Sequence, residues 1–117
     1  MLMAVQGSHN FGDYNIFLRA MYTALYTMKE DDKDIFIYTA GPVKVNNMAL
    51  EFANITENSL KARGIKIQTR RVTKQWVEDN MQDLDYFAFF SKPGEPTSSL
   101  VDTADKHGVE AQVYTFS

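Results

Sequence analysis

The stretch Leu2-Met3-Ala4-Val5-Gln6-Gly7-Ser8-His9-Asn10-Phe11-Gly12-Asp13-Tyr14 decides the fold class. Leu2–Gln6 is an apolar run of strand length. It passes directly into Gly7–Asp13, a loop of turn formers. Asp13 is placed to accept the free N–H groups at the start of a helix, which the spacing predicts from Tyr14 to about Lys29. Phe17, Leu18, Met21, Leu25 and Met28 recur on one side of it. Strand, loop and amphipathic helix in that order are the first half of a βαβ unit.

The rest of the chain repeats the pattern. After the charged turn Lys29–Asp34, Ile35–Tyr38 reads as a second strand, nearly continuous in apolar residues, as expected of a sheet covered on both faces. Thr39–Val45 is a loop. Asn46 or Asn47 opens a second helix, with Met48, Phe52, Ile55 and Leu60 inward and Gly64 at its end. Ile65–Thr69 is the third strand, with Ile65 and Ile67 inward. Thr73 caps a short helix carrying Trp76, Val77 and Met81. Tyr86–Phe90 is the most apolar stretch and is expected at a central position in the sheet. Ser91–Pro96 leads to Thr97, the expected cap of a last helix holding Leu100, Val101 and Ala104. Gly108 ends that helix, and Ala111–Phe116 is the final strand. Strict alternation predicts a single Rossmann-like α/β domain over residues 1–117, three-layered, with a five-stranded, mostly parallel sheet. Right-handed crossovers favour strand order 3-2-1-4-5.

Composition bounds the function. A chain of 117 residues with 44% hydrophobic and 23% charged residues is one ordinary globular domain. The lack of cysteine excludes disulfides and thiolate metal sites and fits a reducing compartment. No apolar run approaches the roughly 20 residues of a membrane span. Met1–Val5 lacks the basic flank of a signal peptide, so a cytoplasmic location and no membrane association are expected. The net charge of −3 and the absence of a basic run lend no support to non-specific nucleic-acid binding. Arg70, Arg71 and Lys74 form a small basic cluster after the third strand, at a sheet edge. It reads by default as a solvated patch, with an acidic partner or a nucleotide as alternatives.

In a doubly wound sheet the ligand crevice lies beyond the carboxyl ends of the strands, where the order reverses. Here that is between strands 1 and 4, where three loops converge. Their candidate ligand-binding residues are Gly7, Ser8 and His9, then Gly41, Lys44 and Asn46, then Ser91, Lys92, Gly94 and Thr97. Helix N-termini fed by such loops suit an anion, and Lys44 can reach a phosphate as a point charge. The same turn residues are also needed for the fold alone. His9 is the right residue type for a general base, and His107 for a helix-ending cation. Glu78, Asp79, Asp83 and Asp85 match no calcium loop and read as a solvated helix end. With no Walker loop, no Gly-x-Gly-x-x-Gly and no Gly-x-Ser-x-Gly elbow, neither a catalytic set nor a metal or cofactor site is assigned.

At these loops the chain resembles the Rossmannoid (SLOG) superfamily that includes DprA and the lonely-guy phosphoribohydrolases, and within it the YspA-like branch. That branch opens with a strand followed by Gly-Ser-Arg and an aromatic. The corresponding residues are Gly7, Ser8 and His9, followed by Phe11 and Asp13. The branch's second loop, Gly-Gly-Ala-x-Gly-Ala-Asp-x-x-Ala, corresponds to Ala40–Ala49, with Ala40, Lys44 and Asn46 replacing two glycines and the aspartate. Trp76, Asn80, Met81, the strand Tyr86–Phe90 and Thr97 follow in the branch's order. The resemblance implies a nucleotide-derived ligand. It does not carry over the hydrolysis, because the catalytic glutamate of the lonely-guy motif falls near Leu100; Glu95 and Asp102 are the nearby carboxylates. The expectation is therefore a non-catalytic binding domain. The alternative is an interaction or structural subunit of a larger assembly that keeps the frame without the site. Val113, Tyr114 and Phe116 on the final strand present an edge competent to pair with a second copy.

Overall fold

A computed structural model describes residues 1–116. Five strands form one parallel sheet: β1 (Leu2–Gly7), β2 (Asp34–Ala40), β3 (Lys66–Arg71), β4 (Tyr86–Ser91) and β5 (Glu110–Thr115). Their order is β3-β2-β1-β4-β5, as the crossover rule predicts. Four helices connect them: α1 (Tyr14–Leu25), α2 (Val43–Ala62), α3 (Lys74–Asn80) and α4 (Ser99–Lys106). A 3-10 turn, Met81–Asp83, follows α3. No helix among the described residues is long and apolar enough to cross a membrane.

Alternation along the strands divides the core in two. Met3, Val5, Ile35, Ile37, Tyr86 and Phe90 face one side, where α1 and α2 deliver Phe17, Met21, Met48 and Phe52. Ala4, Ala40, Phe87 and Phe89 face the other, against Val77, Met81, Leu100 and Ala104 from the α3 and α4 segments. All six residues of β4 are buried, because the strand has neighbours on both edges and helices on both faces.

Several element boundaries differ from the expectation, each for a local reason. Helix α1 stops at Leu25 rather than near Lys29. Thr27 turns its hydroxyl back on the Ala24 carbonyl (2.7 Å), and the Met28 N–H goes to Leu25, closing the end as a tighter turn. Helix α2 starts at Val43, before either asparagine. Pro42, with φ −59°, feeds the chain into the first turn, and Asn46 spends its amide oxygen on the Thr39 hydroxyl (3.0 Å) instead of capping. Ile55 is 57% exposed, since the inward face of α2 runs from Phe52 through Thr56 to Leu60. Strand β3 extends through Arg71, so Arg70 and Arg71 are strand residues. The last helix is capped by Ser98, which accepts the Leu100 N–H, and not by Thr97. Strand β5 begins one residue earlier than expected, at Glu110, and Phe116 follows its end. Asp13 and Thr73 cap α1 and α3 as predicted, accepting N–H groups from Ile16 and Trp76.

Candidate functional site

The carboxyl ends of β1, β2 and β4 meet at one rim, and hydrogen bonds hold their loops together. The Ser8 N–H donates to the Phe90 carbonyl (2.9 Å), which joins the β1 loop to β4. The Ser98 hydroxyl donates to the Gln6 side-chain oxygen, which joins the start of α4 to β1. Arg71 donates to the Gly41 carbonyl (3.2 Å), which ties the β2 loop to the end of β3.

Two glycines of this rim, Gly7 and Gly41, are accounted for by protein atoms. A methyl at Gly7 would lie 2.5 Å from Val45 Cγ2 and 3.3 Å from the Phe11 ring. Gly41 has φ +103°, and a methyl there would lie 2.9 Å from the Gly7 carbonyl oxygen. Phe11 folds into the core from the middle of the β1 loop. Its ring stacks on Phe90 at 4.3 Å and meets Phe116 edge-on at 5.0 Å. The space against the strand ends, where a phosphate lies in a glycine cradle, is filled here by Val45 and Phe11.

A cavity of about 400 Å³ remains just outside this plug, lined by Asn10, Gly12, Asp13, Lys92 and Phe116. Lys92 is the expected residue that reaches it. Lys44, in the first turn of α2, approaches the same loop without lining the cavity: its Cδ lies 3.9 Å from the Cβ position of Gly12. Both lysines thus come close to the segment Asn10–Asp13, Lys92 at the cavity and Lys44 at Gly12. Asp13 faces the cavity while one carboxylate oxygen accepts the Ile16 N–H (3.2 Å), so the α1 N-terminus already holds an anion.

The other expected residues lie on the rim in different roles. The Ser8 hydroxyl is shut away from solvent without a hydrogen-bond partner among the described residues. His9, Gly94 and Thr97 are exposed. Asn46 is bound to Thr39, and Ser91 is buried at the end of β4, its carbonyl accepting the Phe116 N–H (3.1 Å). Asn10, Gly12 and Asp13 lie inside the Gly7–Asp13 loop, so position within that loop is the sequence signal that finds them. Phe116 comes to the cavity only through the β4–β5 pairing and has no local signal.

Leu100 is fully buried in the α4 core cluster and serves packing. Glu95 and Asp102 are exposed. Of the acidic residues near the third helix, Asp85 accepts the Leu2 N–H (2.8 Å) and Asp79 accepts from Gln75 (2.9 Å), which are structural uses. A larger recess of about 580 Å³ lies between α1 and α2, lined by Tyr22, Tyr26, Ile55 and Arg63 among others. No family model matches the chain, and no curated protein matches it.

Proposed function

We propose that this chain is a non-catalytic binding module for a small phosphorylated ligand of nucleotide type, seated in the rim cavity between the β1–α1 and β4–α4 loops. The observation that carries the reading is that Lys92 lines the cavity while the Lys44 side chain comes within 3.9 Å of the Cβ position of Gly12 in the loop that forms it. One cation in a recess with an amide side chain, and a second beside the loop that forms it, suit a phosphate group as point charges. The phosphate lies toward the lysines and away from Asp13, whose carboxylate repels it from the helix end. In this reading the chain is a divergent member of the YspA-like branch, working in a reducing, cytoplasmic setting. The ligand is gripped by side chains where that branch uses glycine backbone.

Thermal unfolding with AMP, ADP and ribose 5-phosphate, against adenosine as the uncharged control, tests it. A phosphorylated ligand present at a hundred times its Kd stabilises the fold by about 2.7 kcal/mol. Lys92→Ala and Lys44→Ala each reduce that shift, while adenosine gives none. No shift from any phosphate at millimolar concentration overturns the reading, and release of free base from AMP overturns its non-catalytic part.

A second reading, a protein-interaction subunit, is favoured by a separate observation. Tyr26 is 91% exposed beside the recess between α1 and α2, with Tyr22 and Ile55 also open to solvent. The unpaired edge of β5, carrying the exposed Val113, gives the same reading a route to a homo-oligomer. Light scattering during gel filtration distinguishes a monomer from a pair, and a monomer that Tyr26→Ser leaves unchanged removes the homo-oligomer.

A further inference from the structure

Half of the chain's lysines and arginines sit in one short stretch. Lys61, Arg63, Lys66, Arg70, Arg71 and Lys74 fall between Glu57 and Glu78, where there is no carboxylate, although the whole chain is acidic at −3. The fold lays much of this stretch along the β3 edge of the sheet. The pairing of β2 with β3 then sets cations beside aromatic rings. Gln68 is level with Phe36 and Arg70 with Tyr38, so these side chains share one sheet face, together with Lys66.

On that face Lys66, Gln68 and Arg70 are exposed, and Phe36, Tyr38 and Trp76 are only half-buried. The three rings form a continuous row: Phe36 stacks with Tyr38 at 6.2 Å and 10°, and Tyr38 meets Trp76 at 4.4 Å. Lys74, at the first position of α3, stands two residues from the end of that row. One acidic side chain, Asp34, lies level with Lys66 at the far end. The only ion pair among the described residues is between the Met1 ammonium and Asp32, which leaves Lys66, Arg70 and Lys74 without carboxylate partners.

We infer that this β2–β3 face is a binding platform for single-stranded nucleic acid. Half-open aromatic rings in a row offer stacking surface to successive bases, and flanking cations follow the backbone phosphates. An acidic polypeptide uses the cations equally well but gains nothing specific from a row of three rings, so the nucleic acid is favoured. The site is distinct from the rim cavity and does not depend on it. Averaging over the chain concealed it, because fifteen carboxylates elsewhere outweigh the local excess of positive charge.

Trp76 is the chain's one tryptophan, so its fluorescence reports on this face alone. The intact protein is titrated at low salt with end-labelled oligo-dT and oligo-U of about a dozen nucleotides, reading anisotropy and Trp76 quenching together. Both signals are expected to move, and three phosphate contacts give a log–log salt slope of about −2. Lys66→Glu with Arg70→Glu weakens binding at least about tenfold, and Phe36→Ala weakens it about fivefold or more while leaving the salt slope in place. Unchanged thermal unfolding of these variants shows that the fold is kept. The inference is overturned by an absence of anisotropy change at about 100 μM protein, the weak end of non-specific affinity. It is also overturned if polyglutamate binds as tightly as the oligonucleotides and Phe36→Ala has no effect, which would assign the face to an acidic protein.

Discussion

Gly7 and Val45 occupy adjoining space at the rim so closely that a single added methyl on Gly7 would stand 2.5 Å from Val45 Cγ2. A glycine at the end of a first strand is the residue that a phosphate-binding loop needs, but here the neighbour that demands it is a valine of the same chain. Gly7→Ala is expected to destabilise the fold by about 1–3 kcal/mol, the usual cost of overpacking. Val45→Ala in the same chain recovers part of the loss, as urea unfolding of the single and double variants measures. Equal stability of Gly7→Ala and the unaltered protein would refute the packing account.

Gly41 carries two constraints at once. Its φ of +103° is unfavourable for any L side chain, and the Gly7 carbonyl oxygen lies 2.9 Å from where its Cβ would be. Gly41→Ala is expected to cost about 1–3 kcal/mol or more from backbone strain alone. Removing Val45 does not relieve that strain. The contrast with Gly7→Ala, tested in the Val45→Ala background, separates backbone strain from side-chain crowding.

The Tyr86 hydroxyl is fully buried and bonded to the Tyr114 hydroxyl at 2.9 Å. Burial, then the hydrogen bond with Tyr114, raises its pKa well above the ordinary tyrosine value of 10.0. A raised folded-state value means that the folded protein holds this proton more tightly than the unfolded chain does. Its stabilising contribution is therefore complete below pH 10.0 and is lost progressively as the pH rises above it. Tyr86→Phe is expected to flatten this part of the alkaline unfolding curve, and to cost about 0.5–1.5 kcal/mol at neutral pH for the lost hydrogen bond.

Asp13 serves the fold and opposes the proposed ligand. Its carboxylate caps α1 through the Ile16 N–H and also faces the rim cavity beside Lys92. Asn is as good a cap as Asp, so Asp13→Asn keeps the helix while removing a negative charge from the cavity. Tighter binding of a phosphorylated ligand with little change in thermal unfolding is the expected result, measured by calorimetric titration. Weaker binding would mean that the carboxylate holds the ligand.

The sheet was legible because its signals are local and redundant. Continuous apolar runs such as Tyr86–Phe90, turn residues after each strand, and caps at Asp13 and Thr73 all point to one topology. Boundaries were less legible where neighbouring residues compete for one role. Thr97, Ser98 and Ser99 can each cap a helix, and only the reach of Ser98 to Gln6 decides among them. Asn46 looks like a cap until Thr39 claims its side chain. The candidate site was legible as a region and not as a surface. Lys44 and Lys92 are readable one at a time, but the plug made by Val45 and Phe11 depends on packing between segments far apart in sequence. The row Phe36, Tyr38 and Trp76 is likewise invisible until the β2–β3 register and the position of α3 are known.

Phe11 fastens the middle of the β1–α1 loop, gripped between Phe90 and Phe116. A loop nailed at its centre has little freedom to surrender when something settles beside it, so occupation of the neighbouring recess carries a small entropic penalty. The seat is preorganised. A ligand of the proposed kind is then expected to arrive and leave by simple diffusion rather than by a slow opening of the rim.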